Sequence, residues 1–185
     1  MTEQELIQGC KANNPQAQRE LFQRFNSRMM AVCVRYMDDR ARAQDVLQEG
    51  FIKVFSHISS FKSEGSLEGW IRRIMVTTAL KALRTHQELR LDDQSGDFEV
   101  HPDFDYALDK ISEKELLKLI AQLPAGYRTV FNLYVLEGYA HQEIASALQI
   151  AESTSRSQLL KARLQLQKSI IAAQQMAEKT LLKGR

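Results

Sequence analysis

Proline, glycine and cysteine are all scarce in this chain, at 3, 8 and 2 of 185 residues. With so few breakers and turn formers, a fold of many short strands and tight turns is a poor fit. The residues that dominate instead, Leu, Ala, Gln, Glu, Lys and Arg, all favour helix. The two cysteines, Cys10 and Cys33, have no metal-ligand spacing, and as an unpatterned pair they suit a reducing cytosol. Each reads as a buried structural thiol. No apolar run reaches the roughly 18 residues of a membrane span. The opening Met1-Thr2-Glu3-Gln4-Glu5 is acidic and lacks the apolar segment of a secretory signal. A cytoplasmic protein with no membrane insertion is therefore expected. Enzyme signatures are missing too: no Ser/His/Asp arrangement, no phosphate-cradling glycine loop and no metal spacing. His57, His86, His101 and His141 are scattered, with no carboxylate or Cys neighbour at ligand spacing. No catalytic residue, metal or cofactor is expected.

What is present is a helical, hydrophobic and electrically segregated chain. A hydrophobic content of 44% is enough for real cores. The net charge of +2 conceals a pattern. Residues 1–90 carry 14 basic and 10 acidic side chains, and residues 151–185 carry 7 and 2. Between them, residues 91–115 carry 2 basic and 9 acidic. Basic ends suit nucleic acid, and an acidic middle would be repelled by it.

Helical periodicity begins near Glu3 and breaks at Asn13-Asn14-Pro15, where Pro15 opens the next helix. Leu21, Phe22, Phe25, Met29, Val32, Cys33 and Tyr36 follow at helical spacing up to a turn at Asp38-Asp39. A third helix spans Arg42 to Ile58, a loop Ser59 to Gly69, and a fourth helix Trp70 to about Leu89. The stretch from Leu91 to about Asp109, with Gly96, Pro102 and many Asp, is too long for a connection inside one compact domain and reads as a linker. A second helical domain starts near Ile111. The reading is all-α: a domain over 1–90, an acidic linker over 91–110 and a domain over 111–185.

The segment from Leu136 to Arg163 carries the strongest signal, reading as two short helices joined by a tight turn near Gln149–Glu152. Helix Glu115–Leu123 and segment Tyr127–Glu137 precede it, the latter with Val130, Phe131, Tyr134 and Val135 as its apolar face. Ile144, Ala145 and Leu148 face inward from the first short helix. Ser153 is a candidate N-cap for the second. Ser155, Leu159, Ala162 and Leu166 share its inner face, and Thr154, Arg156, Ser157 and Lys161 lie away from it. Hydroxyl and basic groups at a helix N-terminus suit phosphate and base-edge contact in a major groove, and equally an ordinary solvated face. Leu160 and Leu164 also point outward, toward thymine methyls or the chain's own tail.

In the third helix, Leu47, Phe51, Val54, Phe55 and Ile58 form a core stripe. Asp45, Gln48, Glu49 and Ile52 share the opposite face at i, i+3, i+4 and i+7, an odd surface for DNA but a fitting one for a basic protein partner. Taken alone such a face is more often simply solvated. In the fourth helix, Trp70, Arg73, Thr77, Lys81 and Arg84 lie within one stripe. With Phe61 they suit single-stranded DNA, whose bases stack on aromatics while phosphates meet cations. An isolated Trp is more often core.

Together these segments resemble the bacterial sigma-70 family, specifically its extracytoplasmic-function (ECF) group, over nearly the whole chain. Asp45 through Phe55 resembles the family's core-polymerase-binding helix. Phe61 through Gly69, followed by Trp70 through Arg84, resembles the loop and helix that melt and read the −10 promoter element. Leu123 through Arg128, and Glu143 to Ala145 through Arg163, resemble the domain that reads the −35 element. Each motif is degenerate, and their order and spacing make the match. The resemblance implies a sigma region 2-like helical bundle, an acidic linker and a region 4-like helix-turn-helix domain. It implies an RNA polymerase sigma factor that directs core enzyme to promoters and assists opening. Asp45, Gln48, Glu49 and Ile52 would dock on the β′ clamp helices, with the second domain on the β flap. Phe61, Trp70, Arg73, Thr77, Lys81 and Arg84 would meet −10 DNA, and Ser153, Thr154, Arg156, Ser157 and Lys161 would meet −35 DNA. The linker would occupy the channel that later holds RNA. The family often works under a membrane anti-sigma factor, a further implied partner.

Three positions depart from the family pattern. Thr77 stands where many members have Asn near the flipped −10 base. Ser155 replaces a usual buried Val, which weakens packing, and Ala140 replaces a usual capping Ser at a cost of about 1 kcal/mol. The competing reading is a stand-alone helix-turn-helix regulator with the N-terminal half as a sensor or dimerisation domain. The amphipathic tail Gln174–Arg185 is unassigned.

Overall fold

The structure, a computed structural model, describes residues 1–85 and 111–183, with side chains described up to residue 175. The expected acidic linker, the end of the fourth helix and the side chains of most of the tail lie outside the described residues. What is described is helical and forms two compact units.

The first unit holds α1 (Glu3–Lys11), α2 (Pro15–Tyr36), α3 (Arg40–His57) and α4 (Leu67–Thr85). Local chemistry sets each start. Thr2 and Glu5 form a capping box on α1: the Glu5 N–H donates to Thr2 Oγ1 at 3.2 Å, and the Thr2 N–H to Glu5 Oε2 at 2.8 Å. Asn14 caps α2 ahead of Pro15, accepting from the Gln16 and Ala17 N–H groups. Asp39 caps α3, accepting from the Arg42 N–H at 2.8 Å. The helix α4 begins three residues before Trp70, because Ser66 Oγ accepts from the Gly69 N–H at 3.0 Å and Leu67 is already fully buried. The expected loop therefore shrinks to a 3₁₀ turn, Ile58–Ser60, and a short connection.

Helices α2, α3 and α4 pack against one another, and α1 lies on α2. Leu21, Met29, Val32, Cys33, Tyr36, Val54, Ile71 and Met75 are among the buried residues between them. Phe22, expected with that stripe, is partly exposed and leans on Phe51 at 4.7 Å between ring centroids. Cys10 and Cys33 are both buried and unpaired, and burial pushes the Cys33 thiol up to about 12, so it is structural. Two glycines permit close approach. A Cβ on Gly50 would lie 2.2 Å from Met75 Sδ, so Met75 packs directly on the backbone of α3. A Cβ on Gly9 would meet the Cβ of Ala17 at 2.6 Å.

The second unit holds α5 (Glu113–Ala121), α6 (Ala125–Phe131), α7 (His141–Leu148) and α8 (Glu152–Lys183). Ser112 and Glu115 form the capping box of α5. α6 runs into a π-helical turn, Asn132–Leu136, in which the Glu137 N–H reaches the Asn132 carbonyl at 3.0 Å. Gly126, Thr129, Val130, Phe131, Asn132 and Leu133 are buried here, while Tyr134 and Val135 are exposed. The apolar face is thus rotated from the expected one, which placed Tyr134 and Val135 inside. Ala140 precedes α7 with no side chain to cap it. Only the return half of a capping box exists, the Ala140 N–H donating to Glu143 Oε2 at 2.8 Å. Gln149, at φ +58°, closes α7 in the left-handed region. α8 packs on α5, α6 and α7.

Gly9→Ala should lower stability by about 1–3 kcal/mol, because two backbone-fixed Cβ atoms cannot share that space without separating α1 from α2. Urea unfolding followed by circular dichroism measures this, and an unchanged midpoint would refute the tight contact.

Candidate nucleic-acid and partner interfaces

On α3, the caps and the core stripe leave Asp45, Gln48, Glu49 and Ile52 all exposed, as expected, with Ile52 at 66%. One of the two carboxylates on this face already has a partner. Glu49 Oε1 lies 2.7 Å from Lys53 Nζ, which also donates to Thr78 Oγ1 on α4 at 3.1 Å. The Lys53 hydrogen bond, with Lys53 and Lys81 charge, holds the Glu49 carboxyl below its ordinary value. A groove beside the face is lined by Arg42, Asp45, Glu49, Lys81 and Thr85. Lys81, grouped by sequence with the aromatic stripe, therefore borders the acidic face. Periodicity along one helix carries no signal for this contact between helices. The balancing cations Arg42 and Lys53 were also missed.

On α4, Arg73, Thr77, Lys81 and Arg84 are exposed and Trp70 is half-buried. Phe61 is buried at 6% exposure beneath Trp70, their centroids 5.5 Å apart. This corrects the expectation that Phe61 offers an open stacking face: it is the floor that orients Trp70. Its carbonyl accepts from Lys11 Nζ at 3.3 Å, so α1 braces the loop. Phe61, Lys62, Glu64, Gly65, Trp70 and Arg73 line a hollow of about 490 Å³. The Thr77 hydroxyl is turned back on its own helix, 3.0 Å from the Arg73 and Ile74 carbonyls.

On α8, the expected set divides. Arg156 is exposed and pairs with Glu152 one turn earlier. Ser153 is exposed, but α8 already starts at Glu152, so Ser153 lies within its first turn and is not its N-cap. Ser157 is half-buried, its hydroxyl donating to the Thr154 carbonyl at 3.0 Å. Thr154 and Lys161 are buried at 6% and 7% exposure, as is Leu164, and all three were expected outside. The physical reason is that α8 is covered around much of its circumference, so the single inward stripe of Ser155, Leu159, Ala162 and Leu166 does not exhaust its buried residues. The exposed cation that follows Arg156 by two turns is Arg163, whose guanidinium lies 5.9 Å over the Tyr134 ring. Its i+7 spacing from Arg156 was the available signal.

Behind these cations, Ser155 Oγ lies 2.9 Å from His141 Nδ1. The His141 ring stacks on Tyr134 at 4.5 Å and 25°. Burial first, then the charges of Arg156 and Arg163, lower the His141 pKa from its ordinary 6.5, with Glu152 opposing.

Two family models match the chain. Sigma-70 region 2 covers residues 21–88 and Sigma-70, region 4 covers residues 113–166, together about two thirds of the chain. The RNA polymerase sigma-H factor of Pseudomonas aeruginosa is 28% identical over 181 residues, spanning 91% of this chain and 93% of its own. The ECF RNA polymerase sigma-E factor of Haemophilus influenzae is 28% identical over 182 residues, spanning 92% and 96%. Among solved structures, the fold is similar to that of CnrH in complex with the cytosolic domain of CnrY. There the TM-score is 0.50 at 17% identity, over 90% of this chain and 96% of that one. It is also similar to the sigma factor RpoE in complex with the anti-sigma factor NepR from Bartonella quintana. That match has a TM-score of 0.51 at 18% identity, over 83% and 96%. The chain belongs to the sigma-70 family, in its ECF group of RNA polymerase sigma factors.

Because folding disfavours the charged form of His141, the stability linked to it is present above its ordinary 6.5 and is lost as pH falls below that value. Acidification from pH 7.5 to 5 should lower the melting temperature of the wild type more than that of His141→Asn. Identical slopes would refute the shift.

Proposed function

We propose that the two units divide the work of promoter recognition, with domains over 1–90 and 111–185 and the acidic segment 91–110 between them. The α3 face of Asp45, Gln48, Glu49 and Ile52 docks core RNA polymerase at the β′ clamp helices. Trp70, Arg73 and Thr77, with Phe61 as their support and Arg84 beyond, meet the opened −10 strand. Lys81 serves the edge between that stripe and the docking face. Ser153, Arg156, Ser157 and Arg163 meet −35 DNA. The observation that carries this reading is the exposed acidic face, with Glu49 paired to Lys53 and a bare Ile52 at its C-terminal end, set next to an aromatic and basic edge, within the span matched by region 2. A partner helix finds both charge and an apolar anchor there.

A groove of about 260 Å³ between α5 and α8, lined by Ile111, Leu119, Ile170 and Ala173, is the proposed seat of the β flap. An anti-sigma factor is a further proposed partner, supported by the fold shared with RpoE, which was solved bound to one. Sigma factors are in general regulators rather than enzymes, and this chain acts without a chemical step of its own. It works in the cytoplasm with the polymerase. Among the described residues no helix is long and apolar enough to cross a membrane. The stand-alone regulator reading leaves the N-terminal half as a sensor or dimerisation domain, whereas region 2 matches residues 21–88 of that half.

Co-elution of the full chain with bacterial core RNA polymerase on a sizing column tests the central reading. A stoichiometric complex is expected, and a folded chain that fails to bind would overturn it. Asp45→Ala with Glu49→Ala should weaken binding about tenfold, on the order of 1.4 kcal/mol, with little change in melting, because both side chains are exposed and the Glu49–Lys53 pair is a surface pair. Unchanged affinity in a pull-down titration removes the docking assignment. Arg156→Ala with Arg163→Ala should abolish −35-dependent transcription and spare polymerase binding. Full run-off activity would mean the DNA-facing side lies elsewhere.

A further inference from the structure

His141 and Ser155 form a connection that the proposed DNA contacts do not use directly. Ser155 is fully buried in the first turn of α8, and a buried hydroxyl without a partner is destabilising. Its Oγ meets Nδ1 of His141, the first residue of α7, at 2.9 Å. The ring is held from its flat side by Tyr134, in the π-helical turn after α6, at 4.5 Å. Over Tyr134 sits the guanidinium of Arg163, which returns the connection to α8. The links Ser155–His141–Tyr134–Arg163 thus close a loop through α8, α7 and the end of α6. Both ends of the loop lie beside the exposed cations: Arg156 follows Ser155 directly, and Arg163 is itself a member.

We propose that His141 is a positioning residue for −35 recognition, its Nδ1 bond to Ser155 fixing the rotation of the first turn of α8 and with it the direction of Arg156. An apolar pair at this place would tolerate small rotations and slides. A hydrogen bond has a preferred length and angle and so selects one. Ser155 is fully buried and its hydroxyl and His141 form a matched pair, so direction as well as shape sets the joint between the two helices of the helix-turn-helix.

This inference rests on the assignment of α8 to −35 DNA. The test uses the full chain with core RNA polymerase, and a duplex library randomised over the −35 and −10 regions, with bound sequences counted. Four variants separate the bond from the stack. His141→Phe keeps an aromatic ring on Tyr134 and loses the bond. His141→Asn places an amide where Nδ1 was and keeps the bond. Ser155→Ala removes the other partner, and the double variant His141→Phe with Ser155→Ala removes both. His141→Phe and Ser155→Ala should each reduce enrichment of the preferred −35 sequence about tenfold, the effect of about 1.4 kcal/mol. The −10 preference should stay, the double variant should lose no more than either single, and His141→Asn should retain the wild-type preference.

An unchanged −35 preference in His141→Phe overturns the proposal. So does a loss in His141→Asn equal to that in His141→Phe, or singles that add in the double variant. A parallel loss of −10 and −35 preference also overturns it, since that is general weakening of the holoenzyme. A wild-type holoenzyme with no −35 preference would instead remove the underlying assignment of α8, an outcome distinct from the others.

Discussion

The first unit depends on how closely α3 and α4 lie. At Gly50 there is no side chain on α3, and Met75 of α4 fills the space against the backbone. Met75 is fully buried, and Lys53 reaches across to Thr78 from the next turn of α3. Interiors are packed tightly, so this contact lets the two helices lie close, and the Lys53–Thr78 bond with the rest of the buried stripe sets their rotation. With that rotation set, α3 turns Asp45, Gln48, Glu49 and Ile52 outward, and α4 turns Trp70, Arg73 and Thr77 outward. Two surfaces of different chemistry then share an edge at Lys81. The loop between them is held at its base by Phe61 beneath Trp70 and by Lys11 on its carbonyl.

Most of the helical architecture was legible because helix signals are local. Pro15 marked the start of α2 and Asp38-Asp39 the turn before α3, and both hold, with Asn14 and Asp39 supplying the caps, whereas the one N-cap named in advance, Ser153, lies inside α8. The α3 face was equally readable, since an amphipathic helix in a small bundle has one inside and one outside. The resemblance of the motifs to the sigma-70 family added what periodicity does not carry, and the two matched regions agree with it.

What was not legible involves relations between elements. An aromatic beside a loop looks the same whether it is floor or lid, and Phe61 is floor. Thr154 and Lys161 looked solvated because one inward stripe on α8 was already complete, yet α8 is covered on more than one side. The π-helical turn shifted which residues of 132–136 face inward, and no composition rule marks such a turn. Ser155 looked like a packing defect in isolation. Its partner is 14 residues away in sequence, and the pair explains a hydroxyl in a core position.

Glu49 is paired with Lys53, and Asp38 with Arg42 just before and within α3, so much of the acidic charge on and beside the outward face of α3 is locally balanced, with Asp45 left over. Opposite charges a few ångströms apart act at a distance as dipoles, whose field fades much faster than that of bare carboxylates and is further screened by salt. On the proposed docking role, long-range steering of a partner would be weak, Ile52 would supply the apolar contact, and a cation on the partner would compete with Lys53 for Glu49. Ionic strength then has opposing effects on the bond that breaks and the bond that forms, and the encounter is governed by fit more than by attraction.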